Sequence, residues 1–157
     1  MSRGPATHRR GELVAVARSW LGTPYHTGGR MKGVGADCLT LLAEVYAEAG
    51  IISPIDITYY PHDWHLHRNS ERYPDGLMRY GHEIEGPPLP GDIALWKFGR
   101  CFSHGAIVVA WPLVIHAYVG RACMLENAET ALWLSHIGEG GQGAARPRPR
   151  RFFCVIS

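Results

Sequence analysis

The stretch Gly33-Val34-Gly35-Ala36-Asp37-Cys38-Leu39-Thr40-Leu41-Leu42 changes character at one residue. Up to Ala36 it is small and glycine-rich, the composition of a loop. After Asp37 apolar residues recur at helical spacing, with Leu39, Leu42, Ala43 and Tyr46 on one face of a segment from Asp37 to Ala49. Asp37 stands where an N-cap belongs and Gly50 where a helix stops. A cysteine in the first turn faces unpaired N–H groups and the positive end of the helix dipole, which favour thiolate over thiol. Cys38 is therefore expected to be a nucleophile with a lowered pKa, and the same N–H groups are expected to bind an oxyanion. The plainer reading is a small buried hydrophobe at the start of a core helix.

Upstream, Leu13, Val16, Ala17, Trp20 and Leu21 predict a helix over Glu12–Leu21, stopped by Gly22, with a loop from Thr23 to Gly35. Downstream, Ile51–Gly86 is less regular, with short helices expected over Asp63–Tyr73 and Asp75–His82. Pro87-Pro88-Leu89-Pro90-Gly91 is a firm break, and the pattern then turns to strands: Asp92–Trp96, His104–Trp111, Leu113–Val119 and Arg121–Leu125. A short helix over Glu129–Ile137, a Gly- and Arg-rich loop (Gly138–Arg150) and a last strand, Arg151–Ile156, complete the chain. Helices first and an antiparallel meander afterwards make an α+β domain, its N-terminal helices packed on a central antiparallel sheet.

A thiol nucleophile needs a base. His104 is expected where a strand emerges from the loop Phe102-Ser103, and His116 follows twelve residues later in the middle of the next strand. Antiparallel pairing about Trp111-Pro112 brings the two imidazoles to one face, where the second can orient the first. Taken alone, His116 is more readily read as a satisfied core histidine than as a catalytic one.

The 157 residues fit one domain that builds a core without disulfides, and the 16 basic against 14 acidic side chains give a net charge of only +2. That balance excludes a dedicated nucleic-acid binder. The apolar run Leu13–Ala17 is broken by Arg18 and Ser19, so no signal peptide and no membrane insertion are expected, and synthesis in a reducing cytosol with free thiols is. The four Cys and nine His are the unusual entries. Cys38, Cys101, Cys123 and Cys154 include no Cys-x-x-Cys pair, and only Cys38 has an activating context.

Ala17-Arg18-Ser19-Trp20-Leu21-Gly22-Thr23-Pro24-Tyr25, then Asp37-Cys38, Pro90-Gly91-Asp92, Ser103-His104 and Ile115-His116-Ala117 together resemble the NlpC-type family of papain-like cell-wall cysteine peptidases, over nearly the whole chain. The resemblance implies a papain-like NlpC-type fold over residues 1–157, with a branch-specific insert at about 51–86. It implies hydrolysis of peptidoglycan stem peptides, commonly at the bond between D-glutamate and the diamino acid, without metal or organic cofactor. Cys38 matches the nucleophile, His104 the base and His116 the orienting residue. Tyr25 matches a tyrosine that lines the site and helps hold the oxyanion, and Asp37 an acid that contacts the stem's free amine. Leu39-Thr40 departs from the Ser-Gly usual after the cysteine.

Asp63-Trp64 and the Arg151-Phe152 ending are similar to the branch encoded by bacteriophages and gene transfer agents. That branch implies a tail component, made in the host cytoplasm, carried in the virion with other tail or tail-hub proteins, and acting in the periplasm or cell wall. The alternatives are a structural tail-assembly or tail-hub protein on a peptidase scaffold with little activity, and another acyl-transfer chemistry such as an amidase or lipid acyltransferase.

Two further segments read blandly. His62, His65 and His67 suggest a metal, but His65 and His67 diverge on a helix, so a solvated helix with Trp64 inward is favoured. Arg146-Pro147-Arg148-Pro149-Arg150-Arg151 reads as a solvated linker, since no interleaved aromatics accompany it.

Overall fold

The structure is a computed structural model that describes residues 4–55, 72–131, 134–136 and 146–156. Helix α1 spans Pro5–Ser19, beginning at Pro5 rather than at Glu12. Proline at the first helical position starts it, because its fixed φ suits the helix and its missing N–H is not needed there. The polar first half, Thr7 to Arg10, hides that start from a reading by apolar spacing. A two-residue hairpin, β1 (Arg30–Met31) with β2 (Gly35–Ala36), occupies part of the expected loop. Helix α2 then runs Cys38–Glu48 with Asp37 as its N-cap, and Gly50 follows at φ 72°.

The sheet is antiparallel throughout. In chain order its strands are β3 (His82–Ile84), β4 (Ile93–Phe98), β5 (Cys101–Ala110), β6 (Leu113–Ala117), β7 (Cys123–Asn127) and β10 (Arg150–Cys154), in the spatial order β3-β10-β4-β5-β6-β7. A small separate ladder pairs β8 (Ser135–His136) with β9 (Arg146–Pro147). Alternation along the strands sends side chains to two cores. Ile93, Leu95, Ile107, Ile115, Ala117 and Phe153 meet Leu13, Ala17, Leu41, Val45 and Tyr46 of the helices. Ala94, Trp96, Ala106, Val108 and Val114 form a second buried cluster on the other face, with Ala128 and Leu134. The α+β architecture expected from the order of elements is the one observed.

Several details differ. The helix expected over Asp75–His82 lies earlier, as α3 (Arg72–Met78), and His82 instead opens the edge strand β3, whose pairing with the distant β10 leaves no local signature. The helix expected over Asp63–Tyr73, and with it His62–His67 and Trp64, falls almost wholly outside the described residues. Strand β5 begins at Cys101, so His104 sits inside the strand and not at its emergence. Asn127 to Ala131 form a turn and Ser135–His136 a strand where a helix over Glu129–Ile137 was expected. The Arg/Pro segment is largely exposed, as expected, but it is no linker. Arg150 and Arg151 open β10, which pairs with both β3 and β4, Arg148 and Arg150 lie over Phe98 and Trp111, and Arg151 makes a two-pronged contact with Glu83. The aromatic partners come from other strands, so no local pattern announces them.

Pro90-Gly91-Asp92 anchors the helices to the sheet. The Asp92 carboxylate, 1% exposed, accepts from Leu89 N–H and from the Arg10 guanidinium, both at 2.8 Å. Gly91, at φ 89°, turns its carbonyl to the Tyr46 hydroxyl of α2.

Candidate active site

Cys38 is the first residue of α2, and the turn that carries it is closed by a reciprocal cap. The Asp37 carboxylate accepts from Leu39 N–H and Thr40 N–H, while Thr40 Oγ1 accepts from Asp37 N–H at 2.8 Å. This gives Thr40, which with Leu39 departs from the Ser-Gly of the family the sequence resembles, a structural task. The other Asp37 oxygen accepts from Gly28 N–H at 2.8 Å and so pins the glycine loop to the helix start. Asp37 is 1% exposed.

The ladder between β5 and β6 ends at Ile107↔Ile115. Beyond that point the strand groups on this side of β5 meet the cysteine. The Cys38 thiol lies 3.6 Å from Ser103 C=O, and Gly105 N–H donates to the sulfur, as do the N–H groups of Cys38 and Leu39. The sulfur thus bears on the two residues that flank His104.

Burial first, and the adjacent Asp37 carboxylate second, push the Cys38 thiol up to about 12, against the three N–H donors that pull it down. The expectation that the helix terminus lowers this pKa is overturned. Half-burial removes water from the thiolate, and the capping charge that builds the helix start opposes a second negative charge beside it. Tyr25 is bridged to Ala36 and held above its ordinary value by burial, the Cys38 sulfur and Asp37, so its hydroxyl remains a donor.

His104 is 5% exposed and boxed by rings. Phe98 stacks on it at 5.2 Å and 9°, Tyr118 meets it edge-on at 5.6 Å, and Trp96 lies at 6.3 Å. Arg148 covers Phe98 at 4.3 Å. His116 is fully buried on the same face, with its Nδ1 3.3 Å from His104 Nε2. Its pKa is lowered to about 3 by burial and then by Arg121, which keeps its ring neutral. The pairing expected of the two imidazoles is the arrangement found.

Likeness to solved structures identifies the fold that carries these residues. The NlpC/p60 domain of the peptidoglycan hydrolase SagA superposes with a TM-score of 0.57 at 19% identity, covering 94% of this chain and 97% of that one. The chain has the NlpC/p60 fold. NlpC2 from Trichomonas vaginalis gives 0.64 at 17% identity over 100% of this chain, which spans about half (49%) of that protein. RipD from Mycobacterium tuberculosis, described as a non-catalytic NlpC/p60 domain protein adapted to peptidoglycan binding, gives 0.53 at 16%, covering 94% and 98% of the two chains. No family model matches the sequence. No curated protein matches it either.

On this NlpC/p60 fold, several contributors escaped sequence reasoning. Tyr73 of α3 donates to Cys38 C=O at 3.0 Å, and its phenol fills the space beside Gly105, where a Cβ would come within 2.5 Å of it. Phe98 and Tyr118 stand two residues from Trp96 and His116, so period-2 alternation was the signal that could have found them. Glu126 of β7 brings a carboxylate oxygen 3.6 Å from His116 Nε2. Cys101, Cys123 and Cys154 are buried free thiols, as expected. Among the described residues no helix is long and apolar enough to cross a membrane.

Proposed function

We propose that this NlpC/p60-fold protein is a cysteine endopeptidase acting on peptidoglycan stem peptides, with Cys38 as nucleophile, His104 as base and His116 as the residue that orients it. One observation carries the reading: a helix-terminal sulfur held by three backbone N–H groups bears on the residues either side of a buried histidine, itself paired to a second. The thiol is neutral at rest. As the sulfur attacks the amide carbon, His104 takes the thiol proton, and the N–H group of Cys38, with the Tyr25 hydroxyl, receives the oxyanion. The resulting imidazolium passes its proton to the leaving amine, and the bond to nitrogen breaks to leave a thioester. His104 then deprotonates water, which hydrolyses the thioester and restores the thiol.

Asp37 is assigned to the stem's free amine, through the charge its buried carboxylate sets beside Cys38. The D-glutamyl–diamino acid bond, a role as a phage-type tail component among other tail or tail-hub proteins, and action in the periplasm or cell wall rest on the sequence resemblance. No cofactor enters these steps.

A second reading, a tail-hub or wall-binding protein of little activity, draws support from the thiol's high pKa and from the non-catalytic character of RipD. Digestion of purified peptidoglycan, with the muropeptides analysed by mass, separates the two. The expected result is cleavage within stem peptides by the wild type and a loss of about 10⁴-fold in Cys38→Ala, with its circular dichroism unchanged. Equal cleavage by the two proteins would overturn the catalytic reading, and binding without cleavage by either would favour the second.

A further inference from the structure

We propose that Glu126 is a fourth, positioning residue of the site, which fixes the tautomer of His116 so that His116 accepts a hydrogen bond from His104. The inference rests on the catalytic reading of Cys38, His104 and His116, and adds to it a residue that neither the motifs nor the fold likeness single out.

Register puts the carboxylate there. His116 pairs with Met124 and Val114 with Glu126, so Glu126 is the diagonal neighbour of His116 on the same face of β6 and β7. One oxygen of Glu126 lies 3.6 Å from His116 Nε2, an electrostatic contact longer than a hydrogen bond, and the other lies 3.2 Å from the Arg121 guanidinium. The Glu126 side chain is 13% exposed and that of Arg121 53%. The line therefore runs from the aromatic box outward through His104, His116, Glu126 and Arg121 to solvent.

The proton count along this line decides the tautomer. Once His104 has taken the thiol proton, both its ring nitrogens are donors, and Nε2–H points at His116 Nδ1 across 3.3 Å. His116 Nδ1 must then offer a lone pair, so the single proton of this neutral ring sits on Nε2. A carboxylate beyond Nε2 attracts that N–H, whereas the opposite tautomer would set a lone pair against a negative charge. Arg121 holds the carboxylate in place and keeps Glu126 from drawing a second proton onto His116. Among the described residues, charged and titratable groups facing His116 include His104 from β5, Tyr118 beyond β6, Arg121 from the turn before β7 and Glu126 from β7.

The test uses the full chain with two readouts. Nitrogen-15 NMR of the imidazoles reports the His116 tautomer and the His104 pKa, and digestion of purified peptidoglycan reports kcat and KM. Glu126→Ala is expected to turn His116 to a mixture of tautomers, to lower the His104 pKa, and to reduce kcat 10- to 100-fold with KM within twofold. Glu126→Gln, whose amide oxygen keeps a partial negative charge facing Nε2–H, is expected to keep the Nε2–H tautomer and most of the activity. Retention of both the tautomer and kcat in Glu126→Ala overturns the proposal. If the wild type cleaves nothing, the tautomer readout still decides the role of Glu126, while the failure falls on the catalytic reading. A Glu126→Ala chain that does not fold leaves Glu126→Gln and Arg121→Ala: an Nδ1–H tautomer in Glu126→Gln overturns the proposal, and a mixed tautomer in Arg121→Ala supports it.

Discussion

The two halves of the candidate site are built by different means. On the helix side, Asp37, Cys38 and Thr40 close a turn among neighbours in sequence, and the N–H groups at the sulfur are mostly those any helix start provides. On the sheet side, Phe98, His104, His116 and Glu126 come from four strands and Tyr118 from the residue that follows β6, and each finds its place only through register. The helix side supplies a nucleophile and a place for an oxyanion, both backbone features. The sheet side supplies a base whose ring is held by packing and whose tautomer is set by charge. A local turn tolerates change outside it, whereas the sheet face depends on every strand that contributes to it.

That contrast can be broken most strongly from the sheet side, with acid. Below pH 6.5 the unfolded chain binds a proton at His116 that the folded chain refuses until about pH 3. Stability attributable to this ring is thus fully present above pH 6.5 and is lost as the pH falls, by about 1.4 kcal/mol per unit, for a total of about 5 kcal/mol by pH 3. Denaturant titrations between pH 7 and 4 should show that slope in the wild type and a shallower one in His116→Asn. Identical slopes would mean that the buried imidazole does not govern acid sensitivity.

A smaller effect should come from Gly105→Ala, where the two halves meet. The added Cβ would displace the Tyr73 phenol from Cys38 C=O, for a loss of about 1–3 kcal/mol. Tyr73→Phe in the same background should recover part of it, and strictly additive denaturant midpoints would show that Tyr73 and Gly105 are not coupled.

The smallest change belongs to the helix side. Thr40→Val keeps the shape of the side chain and removes the hydroxyl that receives Asp37 N–H, at a cost of about 1 kcal/mol. Its melting temperature should drop by a few degrees while the His116 tautomer stays as in the wild type. A changed tautomer would show that the halves are not independent.

The helix side was legible in the sequence because its signals are short-range: a cap, a cysteine and an apolar period lie within ten residues. The cap was also where the reading erred, since the Asp37 charge that organises the turn raises the thiol pKa rather than leaving the helix dipole to lower it. His104 and His116 were legible as a pair because one tight connection links their strands. Tyr73, Phe98 and Glu126 were not. Their roles depend on a segment with no clear period, on a face shared by non-adjacent residues, and on a diagonal across a ladder.

The sequence by itself determined the order of helices and antiparallel strands, the start of the cysteine helix and the two imidazoles, because periodicity and capping act between near neighbours. Only the tertiary structure decided that β10 lies inside the sheet, that the sulfur rests where the β5–β6 ladder ends, and that Glu126 stands behind His116. Burial and the field of neighbouring charges depend on residues far apart in the chain, so the protonation of Cys38 and His116 belongs to the fold rather than to any motif.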